Sequence, residues 1–139
     1  MKGLISLLIL VAVASSMTAH AKFCSLGAIS EQDMHLSTYR KSQSASSFRI
    51  NCDQAYNIRF TSMNLRSPQG ESAVSNGAYK LSTRMWIQGA NKSEWNTMLS
   101  PNSTDKDNKY VVGVQLLEAP TINTPAGIYR DVVYISLSF

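Results

Sequence analysis

Ser46-Ser47-Phe48-Arg49-Ile50-Asn51-Cys52 repeats with a period of two: Phe48, Ile50 and Cys52 fall on one side, and Ser47, Arg49 and Asn51 on the other. Side chains alternate across a β-strand, so the stretch reads as a half-buried strand that delivers its cysteine to a core. The same rhythm follows in Tyr56 to Thr61, with Tyr56, Ile58 and Phe60 inward and Asn57, Arg59 and Thr61 outward. It returns in Tyr79, Leu81, Thr83, Met85 and Ile87, which alternate with Lys80, Ser82, Arg84, Trp86 and Gln88 before Gly89 closes the run. Upstream, Cys24, Leu26 and Ala28 alternate in a short first strand. No helical spacing persists beyond about two turns, so the pattern predicts an all-β domain.

Between these runs, Ser67 to Gly77 is rich in turn residues (Pro68, Gly70, Asn76, Gly77), and Asn91 to Asn108 is polar and loop-like, with Trp95 expected to pin it to the body. Tyr110 to Leu117 is apolar on both faces, as expected of a central strand between two covers. After Pro120 and a turn through Thr124, Pro125, Ala126 and Gly127, a terminal strand is expected from Tyr129 to Phe139. In it Val133, Ile135, Leu137 and Phe139 face one way, and Tyr134, Ser136 and Ser138 the other. About six strands joined by Gly, Pro and Asn turns predict a two-sheet sandwich of immunoglobulin-like type. No repeat or linker divides it.

The amino terminus carries an export pattern. Lys2 supplies a positive charge, Leu4 to Val13 an apolar run, and Ala19-His20-Ala21 a cleavage site, so residues 1–21 are expected to be a signal peptide and residues 22–139 the domain. The run is too short to span a bilayer comfortably, and stable membrane insertion is not expected. In an oxidising compartment Cys24 and Cys52 most simply form one disulfide, and closing a loop of that size stabilises by about 3 kcal/mol.

The formal charge of +4 is spread thinly over the chain, without the clustering of a nucleic-acid footprint. After the leader, His35 is the sole histidine, which argues against histidine metal clusters and a Ser-His-Asp triad. The carboxylates follow no recurrent spacing, and there is no phosphate loop, nucleophile elbow or zinc-protease motif. No catalytic residue, metal or cofactor is expected, and an enzyme is the poor reading.

The last strand carries the most information. An alternating strand left at an edge is a template for strand addition by another chain, because unpaired backbone groups give affinity and alternate side chains give register. An ordinary central strand fits the same residues.

Together, the Cys24 and Cys52 pair, with the second cysteine ending Phe48-Arg49-Ile50-Asn51-Cys52, and the closing stretch Pro125-Ala126-Gly127-Ile128-Tyr129-Arg130-Asp131-Val132-Val133-Tyr134-Ile135-Ser136-Leu137-Ser138-Phe139 resemble the spore coat U family. That family is the pilin type of archaic chaperone–usher fibres. The resemblance implies an incomplete immunoglobulin-like sandwich that lacks one strand. It implies a periplasmic chaperone that supplies a strand beside Val133, Ile135, Leu137 and Phe139, an usher, and neighbouring pilus subunits whose amino-terminal extensions later replace the chaperone. Cleavage after Ala21 leaves only Lys22 and Phe23 before Cys24, too little for a donor strand. The expectation is therefore a subunit that accepts a strand without giving one, at a fibre tip, in adhesion or biofilm formation. Ser67 to Gly77 and Glu31 to Ala45 are its expected contact surfaces. The alternative is a stand-alone secreted or periplasmic β-sandwich that binds a ligand or serves the envelope.

Overall fold

Alternation becomes seven strands in the computed structural model, which describes residues 23–139; the expected signal peptide lies outside the described residues. The strands are β1 (Cys24–Leu26), β2 (Gln43–Cys52), β3 (Asn57–Ser62), β4 (Glu71–Asn76), β5 (Tyr79–Gln88), β6 (Asp107–Leu116) and β7 (Val133–Ser138). A five-stranded sheet runs β1-β2-β6-β5-β4, and a two-stranded sheet pairs β3 with β7. Every pairing is antiparallel. The result is an all-β, immunoglobulin-like sandwich with the single disulfide Cys24–Cys52, whose cysteines face each other across β1 and β2.

The inward residues form one core. Phe48 and Ile50 of β2, Ile58 and Phe60 of β3, Met85 and Ile87 of β5 and Tyr110, Val112 and Val114 of β6 are all buried together. Phe48 stacks on Tyr110 with ring centroids 5.5 Å apart, and Phe60 meets the edge of Trp95 at 6.1 Å. The Tyr56 and Tyr110 hydroxyls share a buried hydrogen bond of 2.7 Å. Burial foremost, and that bond second, push the Tyr110 phenol above its ordinary range.

β6 occupies the centre of the large sheet, between β2 and β5. Its outer face is covered because the Trp86 ring lies over Gly113, where any β-carbon would overlap it. Trp95 pins its loop: it is fully buried, and its backbone N–H donates to the Pro68 carbonyl at 2.7 Å.

Two sequence expectations need correction. The turn-rich stretch Ser67 to Gly77 contains β4, whose small Ser72 and Ala73 are buried without the bulky alternation that marks a strand. Gly77, with φ of 61°, opens the two-residue turn from β4 into β5, at a place where glycine meets no steric barrier. Tyr79, expected inward, is exposed because it sits at that hairpin end, opposite Asn76, where the strand has yet to reach the core.

Candidate functional site

Among the described residues β7 has a neighbour on one side only. It pairs along its length with β3, placing Val133 opposite Ser62, Ile135 opposite Phe60 and Leu137 opposite Ile58. The other side of β3 is taken: Ile58 and Leu99 exchange two backbone bonds of 2.8 Å, and the Asn96 N–H donates to the Phe60 carbonyl at 2.7 Å. β7 is left as the edge of the small sheet.

Directly paired residues share a face, so Val133, Ile135 and Leu137 look inward with Ser62, Phe60 and Ile58. What they look into is a groove of about 350 Å³. Leu26, Ile29 and Met34 line it from the β1 side, and Phe48, Ile50 and Val112 from the inner face of the large sheet. A second, wider space of about 970 Å³ adjoins it through Gln32, Met34 and Val133, and runs on past Leu36, Leu81, Val114 and Leu116 to Pro125 and Gly127. The two form one channel between β7 and the segment from Leu26 to Leu36, apolar in its narrower part.

The disulfide holds the far wall. Cys24–Cys52 fastens β1 to β2, and the chain beyond it stays along β2 through the Gly27 N–H to Arg49 carbonyl bond (2.7 Å) and the Ser30 N–H to Ser47 carbonyl bond (2.8 Å).

Of the residues nominated from sequence for the groove, Val133, Ile135 and Leu137 line it, while Phe139 lies one residue past β7, exposed and outside it. Pro125 accepts a bond from the Tyr129 hydroxyl at 2.8 Å, and both Pro125 and Gly127 border the wider space. Within the segment Glu31 to Ala45, expected as a contact surface, Met34 and Leu36 pack against the core while most other residues are exposed. Leu26, Ile29 and Met34 went unnoticed in the sequence as a groove wall, because no spacing links them to β7. Also missed was the cluster of Asn64, Ser72 and Asp131 at the root of β7, whose only mark in the sequence is Asp131 two residues after Tyr129.

A free strand edge beside an apolar channel can take up an extended segment of another polypeptide, pairing its backbone and burying alternate side chains. Among the described residues there is no group of three or more His, Cys, Asp or Glu placed to hold a metal ion, and no helix long and apolar enough to cross a membrane.

No family model matches the chain, and no curated protein matches it in sequence. Among solved structures its fold is that of pilus subunits. It is similar to a chain of the CsuC–CsuE chaperone–tip adhesion subunit pre-assembly complex, from the archaic chaperone–usher Csu pili of Acinetobacter baumannii. There the TM-score is 0.56 with 23 % identity over 86 % of this chain, which spans only 40 % of that one. It is also similar to the P pilus rod subunit PapA, with a TM-score of 0.51 and 14 % identity over 99 % of both chains. At these identities the likeness is one of fold.

Proposed function

We propose that this chain is a structural subunit of a bacterial surface fibre, of the spore coat U kind, built by a chaperone–usher pathway through donor-strand complementation. It is exported, held in the periplasm by a chaperone that lays a strand along β7, and passed to an usher. There the amino-terminal extension of a neighbouring subunit replaces the chaperone's strand.

One observation carries the reading: Ile135 faces inward opposite a fully buried Phe60, yet is itself 42 % exposed beside an unpaired strand edge. An incoming strand would satisfy that edge, and each apolar side chain it buried fully would contribute about 1.5–3 kcal/mol. Assembly driven in this way needs no nucleotide, cofactor or catalytic group. The pilus-subunit neighbours support the same reading at the level of fold. A tip position is part of the proposal, tested by immunogold labelling of fibres: label confined to ends supports it, and label along the shaft refutes it.

Production in a bacterial periplasm with and without a co-expressed archaic-type chaperone tests the whole reading. The chain should accumulate as a soluble complex with the chaperone and be degraded or aggregate without it. A soluble monomer that unfolds cooperatively when made alone would instead identify a self-contained envelope domain.

A further inference from the structure

The chain reaches β7 through residues 129–132, and this crossover is fastened to the large sheet. The Ser75 N–H donates to the Arg130 carbonyl at 2.8 Å, and the Arg130 N–H donates back to the Ser75 carbonyl at 2.9 Å, tying it to the edge of β4. One residue later, both carboxylate oxygens of Asp131 are engaged. Oδ1 accepts from the backbone N–H of Asn64 at 3.0 Å and of Val132 at 2.9 Å, and Oδ2 accepts from the Ser72 hydroxyl at 2.6 Å. The Ser72 hydroxyl also meets that of Ser62 at 3.1 Å. The Asn64 side-chain amide donates to the carbonyls of Ala73 at 2.8 Å and Arg130 at 3.1 Å. A single carboxylate thus joins the chain leaving β3, the body of β4 and the start of β7, which belong to two different sheets.

This bears on the groove. β7 is an edge strand whose Val133 and Leu137 pack against the core while open space remains where a further neighbour would stand, so packing holds it from one side only. Hydrogen bonds to an ionised carboxylate are about twice as strong as neutral ones and are directional. Three of them converge on Asp131, two residues before Val133, which borders both parts of the channel.

We infer that Asp131 is a positioning residue that, through Ser72 and Asn64, holds β7 at the separation an incoming strand requires, before that strand arrives. Its consequence for assembly rests on the strand-acceptor reading above; the positioning itself does not. Preorganisation of this kind speeds capture, because the groove need not be rebuilt at each encounter.

The test compares hydrogen–deuterium exchange of β7 amides in the exported protein with that of β6 amides in the same molecule, for the native chain and for D131A, S72A and D131N. Removing the carboxylate should raise β7 exchange about tenfold relative to β6. S72A, which loses one arm and serves if D131A does not accumulate, should fall between. D131N, whose amide oxygen still accepts from Asn64 and Val132 but which loses the charge and the acceptor for Ser72, should also fall between. In parallel, capture of a fluorescent synthetic peptide of about nine alternating valine and threonine residues should slow about tenfold in D131A and recover in part in D131N. β7 exchange that rises no more than β6 exchange overturns the inference, because the carboxylate then serves only overall stability. If the exchange pattern is as expected but the native chain ignores the peptide, the positioning role stands and the strand-acceptor reading fails.

Discussion

Ile135 stands directly opposite Phe60 across the β3–β7 ladder and shares its face, yet Phe60 is fully buried and Ile135 is 42 % exposed. Cross-strand partners on an inner face normally share one environment. Here they differ because Phe60 lies between β7 and the loop carrying Trp95 and Leu99, whereas Ile135 has the groove on its free side. The difference within one residue pair locates the open side of the sandwich.

Charge at that position should separate folding from docking. In Ile135→Asp the carboxylate is solvated at the groove mouth, so the unfilled domain should lose under about 1 kcal/mol. A covering strand would have to desolvate it, at a cost of several kcal/mol. Chaperone capture should therefore vanish, by pull-down, while the urea midpoint of the domain hardly moves. Leu137→Asp should lose both, because Leu137 already packs against the core. Normal capture of the Ile135→Asp protein would show that the docking face is elsewhere.

Loss of the disulfide should cost about 3 kcal/mol, a fall in Tm on the order of ten degrees or more. Calorimetry of the paired Cys24→Ser, Cys52→Ser variant measures this, and mass spectrometry of the native exported protein should find no free thiol.

Gly70→Ala should destabilise by more than about 2 kcal/mol in urea titration. Gly70 has φ of 91°, and a β-carbon there would overlap the Met85 carbonyl oxygen and lie 2.9 Å from Trp95 Nε1. The loop that closes the outer side of β3 depends on that close approach.

Alkali should weaken the fold through Tyr110. Its phenol is raised above the ordinary value of 10.0 by burial and by the bond with Tyr56. The stability that goes with its neutral form is fully present below the unfolded value and is lost as pH climbs from there toward the folded one. The urea midpoint should fall above about pH 10. Tyr110→Phe should flatten part of that decline while costing about 1 kcal/mol at neutral pH, where the Tyr56 hydroxyl loses its partner.

Much of this was legible in the sequence where bulky apolar residues alternate. Phe48, Ile50, Ile58, Phe60, Met85 and Ile87 announce β2, β3 and β5, and the doubly apolar run after Tyr110 announces the central position of β6. β4 was hidden because its buried members, Ser72 and Ala73, are too small to carry a hydrophobic rhythm. One wall of the groove was visible as Val133, Ile135 and Leu137. Phe139 continues their alternation but lies past the last paired residue, where periodicity no longer constrains a side chain. The opposite wall is formed by Leu26 at the end of β1 and by Ile29 and Met34 in the irregular segment after it, placed by the disulfide and by single backbone bonds, and local pattern says nothing of which strand it will face. The same holds for Asp131, whose partners lie 59 and 67 residues away in the chain.

The most direct test replaces Ile135 with a photo-crosslinking phenylalanine analogue and illuminates living cells. The account predicts a covalent product with a periplasmic chaperone before assembly and with a neighbouring subunit in finished fibres, mapped in each case to an extended segment of alternating apolar residues. Crosslinks confined to this chain's own residues would mean that the molecule closes its own groove, and would contradict the account.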